Sequence, residues 1–285
     1  MALMLACGAL VVIGLVLIVA WGNEPFRPPP GDDVAPEGRL PTGLLIRRYL
    51  WWLALALGCG AGAGLLMAGA GGRLAMRLLA VTAPESAQGR ITEADEVVGL
   101  ISTDGTIGFI IFIGILFGVL IGIFYTLIQR WLPRGRLGGL TFGVLLLVWF
   151  GTVFDPLRPD NPDFEIVGPG WVSVLTFSAL VILHGMLVAA IAGRYSRSLP
   201  LISKRWRTIV PYAPLLLLVP GFILLAAVTV GALIALAFNA APRIRQMWES
   251  RQVSIAGRAI GLVAAAIMTP VFVIGMVGIL ERSPN

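Results

Sequence analysis

Apolar and charged residues are strictly segregated along this chain. Seven stretches contain no Asp, Glu, Lys or Arg: Leu3 to Trp21, Tyr49 to Gly72, Thr106 to Gln129, Leu137 to Phe154, Trp171 to Gly193, Pro214 to Phe238 and Ala259 to Leu280. All 21 basic and 15 acidic residues fall between or beside them. An apolar run of about 20 residues crosses the ~30 Å hydrocarbon layer as a helix, because a helix satisfies its own backbone hydrogen bonds where there is no water. The pattern predicts an all-α integral membrane protein, a bundle of seven transmembrane helices. The first stretch reads as a span and not a signal peptide: it lacks a basic start and runs apolar to Trp21 without a small-residue cleavage site.

Gly22 to Arg48 holds Pro25, Pro28, Pro29, Pro30, Pro36 and Pro41, the composition of an extended, semi-rigid spacer. Residues 1–21 are therefore expected to stand apart, as a separate first helix, from a six-helix core in the polytopic region 49–285. Orientation follows from Lys and Arg in short loops. Gly22 to Arg48, Arg130 to Arg136, Arg194 to Arg207 and Arg282 carry 13 basic residues, against 8 elsewhere. The facing loops, Arg73 to Gly105 and Asp155 to Gly170, carry nine acids and four arginines. The basic side is expected to be cytoplasmic, with the acidic loops and the amino terminus outside and the carboxyl terminus inside. Trp21, Trp51, Trp52, Trp131 and Trp206 fall at the cytoplasmic ends and Trp171 at an outer end, where indole rings prefer to lie.

One segment fits this topology poorly. Arg243, Arg245, Arg251 and Arg258 follow the sixth span and would lie outside. Pro211, Pro214, Pro220 and Gly221 would instead allow Ile209 to Phe238 to fold back as a re-entrant hairpin, which would place these arginines inside and the carboxyl terminus out. A single span kinked at Pro220 is the preferred reading. In either case Arg243 to Arg251, with Met247 and Trp248, has the character of an interfacial helix among anionic headgroups.

Composition narrows the class. At 58% hydrophobic and 13% charged, the chain is far from the roughly 25% charged residues of soluble domains. The net charge of +6 lies at span edges and does not indicate nucleic acid. Only Lys204 among the basic residues is lysine, as GC-rich bacterial coding produces, so the expected location is a bacterial plasma membrane. Cys7 and Cys59 lie within spans and match neither a metal spacing nor a disulfide framework.

Small residues recur at four-residue intervals: Gly114, Gly118 and Gly122; Gly58 with Gly62 and Gly60 with Gly64; Gly257, Gly261 and Ala265. Such faces let a second backbone approach closely, within one bundle or between copies; packing inside the bundle is favoured. A shift of 67 residues superposes Gly118 on Gly185, Arg130 on Arg197, Leu132 on Leu199 and Pro133 on Pro200, a faint sign of parallel repetition.

Candidate chemistry is sparse. His184, the only histidine, lies mid-span and could carry a proton or hold a ligand. The plainer reading is a neutral imidazole hydrogen-bonded to a neighbouring helix through Thr176, Ser178, Thr229 or Thr269. The loop from Asp155 to Glu165, with Asp160 and Asp163, offers oxygen ligands to a cation shared with Glu93, Asp95, Glu96 or Asp104. It matches no EF-hand, and a cap held by Arg73, Arg77 and Arg90 accounts for the charges without a metal. Arg73 and Arg77 share a helix face and could bind a lipid phosphate or an anionic substrate. No zinc-protease, P-loop or Ser-His-Asp signature occurs, no span carries a retinal-binding lysine, and no cofactor is implied. The expected role is a non-enzymatic membrane component, an accessory or assembly subunit whose partners are the bilayer, anionic headgroups and other membrane proteins or copies of itself. A small permease using kinks at Pro220 and Pro270 is the alternative, and a membrane-embedded enzyme the third.

Overall fold

The computed structural model of the chain describes residues 1–30, 41–155, 157–218, 230–234 and 250–283. The described chain is all-helical, with a single isolated bridge, Ile91 to Val97, as its only β pairing. Five helices are long and apolar enough to cross a membrane: α1 (Ala2–Trp21), α2 (Thr42–Thr82), α3 (Thr103–Trp131), α5 (Gly170–Ser198) and α6 (Arg251–Arg282). The shorter α4 (Arg136–Phe150) runs between α3 and α5.

Proline marks where three of these helices stop. Ala83, Leu132 and Leu199 each precede a proline and are extended, with ψ of 149°, 156° and 108°. The proline ring clashes with a helical residue ahead of it, so the helix ends there. At its start α6 is capped by Ser250, whose hydroxyl accepts from the Val253 N–H. It continues through Pro270.

Helices α2 and α3 meet backbone to backbone. A Cβ added at Gly118 would lie 2.7 Å from Gly64 Cα, one at Gly122 2.7 Å from Gly60 Cα, and one at Gly114 3.0 Å from Gly69 Cα. The glycine rows thus pack inside the bundle, and no larger residue fits without moving a main chain. At this crossing both helices widen into π turns, Gly64–Gly69 in α2 and Ile110–Leu116 in α3. Helices α4 and α5 form a second crossing, where a Cβ at Gly185 would lie 2.6 Å from Gly143 N. At α6 the picture differs: Gly257 accommodates the Trp131 ring, whereas Gly261 is only loosely approached by Trp149 at 3.8 Å.

The first helix does not stand apart as expected. Gly14 faces Met67 and Leu187, at 3.2 and 3.3 Å from a Cβ placed there, and Cys7 and Ile18 are buried. The chain after α1 also folds back: Glu24 pairs with Arg194 and Arg197, each at 3.4 Å, and Phe26 stacks on Trp52 with centroids 5.4 Å apart. Proline content predicted a spacer; the half-buried Phe26 ring, the Glu24 ion pairs and the Arg27 N–H, which donates to Ser196 Oγ at 3.1 Å, tie residues 24–27 to the bundle.

The direction of α6 corrects the expected topology. Gly257 near its start touches Trp131 at the basic end of the bundle, while Ile279 and Ser283 at its finish touch Gly170 at the end carrying the acidic loops. Met4 of α1 lies at that same acidic end, beside Arg73 and Phe109. The start of α1 and the finish of α6 therefore lie at the same end of the bundle, where the seven-span reading expects opposite ends. Of the expected span Pro214 to Phe238, residues 219–229 and 235–238 lie outside the described residues, as do Arg243, Arg245, Met247 and Trp248. The described margins both approach the first half of α2: Pro214 meets Gly58, and Gly231 meets the Tyr49 hydroxyl.

Single cysteines at the exposed Asp160 and Arg282, in a chain lacking Cys7 and Cys59, are expected to react alike with an impermeant thiol reagent added from one side. A cysteine at Lys204 should react only from the other. Opposite accessibility of the 160 and 282 positions would contradict the direction of α6.

Candidate functional site

The acidic loops 83–102 and 151–169 close over the acidic end of the bundle. Each is anchored by apolar side chains, Leu157 at 1% and Phe164 at 3% exposure, with Ala87, Val98 and Ile166 buried beneath. The charges above are organised by one cation, Arg158. It bridges to Glu93, to Asp155 at 3.3 Å and to Asp160 at 3.5 Å. Asn161 donates to Asp155 Oδ1 at 3.0 Å, and the Glu93 N–H donates to Asp163 Oδ1 at 2.8 Å. These contacts join the two loops across 65 to 70 residues of sequence. The expected clasp by Arg73, Arg77 and Arg90 is thus replaced by Arg158, which sits within the acidic run and so reaches both loops.

The carboxylates of Glu93 and Asp155 raise the Arg158 guanidinium pKa above its usual value. Burial pushes the Asp163 carboxyl up, against the Glu93 N–H and Arg158, which hold it down. A carboxyl whose folded pKa is raised stabilises the folded loop when protonated, and that contribution is lost as pH rises through the folded value. Among the described residues no cluster of three His, Cys, Asp or Glu is placed to hold a metal. Glu165 is exposed and Asp160 points to Arg158 from the surface.

Beneath this cap lies a cavity of about 660 Å³. Arg73 and Arg77 line one wall, Glu93, Glu96, Asp155 and Asp163 the rim, and Met4, Met76, Phe109, Phe112 and Ile113 the apolar remainder. Both arginines lie on α2 itself, which extends to Thr82, ten residues beyond the expected end at Gly72. Arg73 lies over the Phe109 ring at 5.8 Å, its Nη1 donates only to the Met76 thioether at 3.8 Å, and its buried Nε has no partner among the described residues. Arg77 donates to the Gly99 carbonyl at 3.1 Å. Neither has a carboxylate within ion-pair distance among the described residues.

His184 is elsewhere. It is 6% exposed within α5, and its Nδ1 has no partner among the described residues. The cavity reaches no deeper on α5 than Phe177, two turns or roughly 10 Å from His184. Of the hydroxyl partners expected from sequence, Thr229 lies outside the described residues, and Thr269 donates instead to the Ala265 carbonyl of its own helix. Arg158 and Phe109 were not singled out from sequence; the one available signal was Arg158, the lone cation in an acidic loop.

Comparisons with protein-family models, curated proteins and solved structures find no match to this chain.

Replacing Arg158 by Gln leaves three carboxylates, Glu93, Asp155 and Asp160, without their common cation, so the loops should separate. Trypsin cleavage after the exposed Arg90 is expected to speed up, with Arg158→Lys intermediate because an ammonium lacks the guanidinium fork. Unchanged cleavage would show that Leu157 and Phe164 hold the loops unaided.

Proposed function

We propose that this chain is a multi-pass protein of a bacterial plasma membrane and serves as a non-enzymatic accessory or assembly subunit. The supporting observation is the filled interior around His184. Met67 and Leu187 are fully buried, the Gly143 to Gly185 crossing brings two backbones together, and the described cavity stops short of the imidazole. A permease needs a polar path at mid-membrane. Here the described helices spend that depth on close packing, and the exposed side chains of α6, including Ile260, Leu262, Ile267 and Ile274, form an apolar face suited to lipid or a neighbouring membrane helix.

The basic end of the bundle is the cytoplasmic one in this reading. Arg251 and Arg258 in the first turns of α6 join that end and Arg282 leaves it, which sharpens the asymmetry of positive charge. The carboxyl terminus then lies outside with the amino terminus.

Two measurements on the purified chain test the subunit reading. Gentle extraction followed by native mass spectrometry should give a defined complex with another integral membrane protein. Proteoliposomes should show no solute flux above protein-free vesicles. His184→Leu should lower stability by only about 0.6 to 2 kcal/mol, the worth of one intramembrane hydrogen bond. Saturable flux that His184→Leu abolishes would establish the permease instead.

A further inference from the structure

The cavity beneath the cap contains an imbalance that its own side chains leave unresolved. A guanidinium offers five N–H donors, yet Arg73 has only a thioether and an aromatic face, and Arg77 a single carbonyl. The two lie one helical turn apart on one wall, a spacing of roughly 6 Å. They can therefore grip one tetrahedral anion from two sides. The rim is of opposite sign, and Arg158 already occupies Glu93 and Asp155. Glu96 and Asp163 form no ion pair among the described residues. A simple anion would meet these carboxylates as it entered, whereas a zwitterion would satisfy both sets of groups.

The wall between them shows how such a ligand enters. Met76, Phe112 and Ile113 are 37%, 65% and 46% exposed while also lining the cavity. They lie on the outward faces of α2 and α3, helices apolar enough to cross a bilayer. The cavity is therefore bounded by charge at the loops and by hydrocarbon at the side, the polarity of a lipid at the headgroup level.

We propose that this cavity binds the headgroup of a zwitterionic phospholipid, its phosphate on Arg73 and Arg77, its ammonium towards Glu96 and Asp163, and its acyl chains along Met76, Phe112 and Ile113. The site rests on the membrane placement proposed above and is independent of the subunit role. Guanidinium forks match phosphate oxygens in paired, charge-assisted hydrogen bonds.

The test uses the full chain in a maltoside detergent, titrated with dioctanoyl phosphatidylethanolamine, dioctanoyl phosphatidylglycerol, glycerophosphoethanolamine and inorganic phosphate, with bound ligand read by native mass spectrometry. Phosphatidylethanolamine should bind saturably and more tightly than phosphatidylglycerol. Glycerophosphoethanolamine and phosphate should bind weakly, since they lack acyl chains. Arg73→Gln with Arg77→Gln should weaken binding by about tenfold or more, the scale of lost charge-assisted hydrogen bonds. Glu96→Gln should shrink the preference for the amine headgroup. Arg77→Lys, which keeps the charge and disturbs the fold least, should give a smaller loss should the double variant not fold. Undiminished lipid binding in the arginine variants would overturn the proposal, as would phosphate or the glycerophosphodiester binding as tightly as the lipid. Either result leaves the flux and complex measurements unaffected.

Discussion

The architecture depends on the contact between α2 and α3, where Gly60, Gly64 and Gly69 face Gly114, Gly118 and Gly122 with no side chain between the two main chains. In lipid, helices gain little by burying apolar surface against one another, so close van der Waals packing between backbones supplies much of the association. This crossing lets two main chains serve as each other's packing partners over three successive steps. The π turns lie within it, Gly64–Gly69 on one helix and Ile110–Leu116 on the other. Other features follow from its position. Met67, between the two glycines Gly64 and Gly69, is fully buried and faces Gly14 of α1. Arg73, one turn beyond Gly69, is carried over Phe109 at the top of α3, which sets the floor of the cavity.

The two ends of the bundle are built from different interactions. At the acidic end, Arg158 gathers Glu93, Asp155 and Asp160 at partly exposed positions, where ion pairs contribute little apiece and a shared cation matters mainly by preventing like charges from repelling. Burial of Leu157 and Phe164 supplies the anchoring. At the basic end side chains reach across to backbone carbonyls: Trp51 Nε1 donates to the Leu199 carbonyl at 2.9 Å, Tyr212 donates to the Pro200 carbonyl at 2.8 Å, and Arg136 donates to the Val19 carbonyl at 2.8 Å. Each of these carbonyls lies at or just beyond a helix terminus, where acceptors lack an intrahelical partner.

Hydropathy made the helices legible because lipid imposes one rule on every spanning segment. Their ends were misplaced by following charge: the expected spans stop at Gly72, Gln129 and Gly193, whereas the helices run on to Thr82, Trp131 and Ser198, where Pro84, Pro133 and Pro200 stop them locally. Gly118 and Gly185, superposed by the shift of 67 residues, each lie at a backbone crossing, and Leu132 and Leu199 each close a helix. What pairs with each glycine face was not legible, since spacing describes a surface and not its neighbour. Direction was equally hidden for α6: an apolar run reads the same up or down, and the arginines before it suited the hairpin alternative and not the preferred single span, a choice that rests on the contact of Gly257 with Trp131. The cavity escaped notice because it needs Arg73 and Arg77 to be helical past Gly72, where charge marked the expected end of the span. The helix continues because only its apolar part must meet lipid.

The glycine crossing is tested most directly by a double-mutant cycle on Gly64→Ala and Gly118→Ala, with unfolding measured in mixed detergent. Each methyl alone must push two backbones apart, at a cost of about 1 to 3 kcal/mol. Once they have separated, the second methyl meets an open gap, so the pair should cost less than the sum by about 0.5 kcal/mol or more. Gly108→Ala, on the same helix with nothing within 4 Å of the added Cβ, should leave stability unchanged or slightly raised. Single substitutions without effect, or costs at 64 and 118 that simply add, would contradict a fold built on this contact.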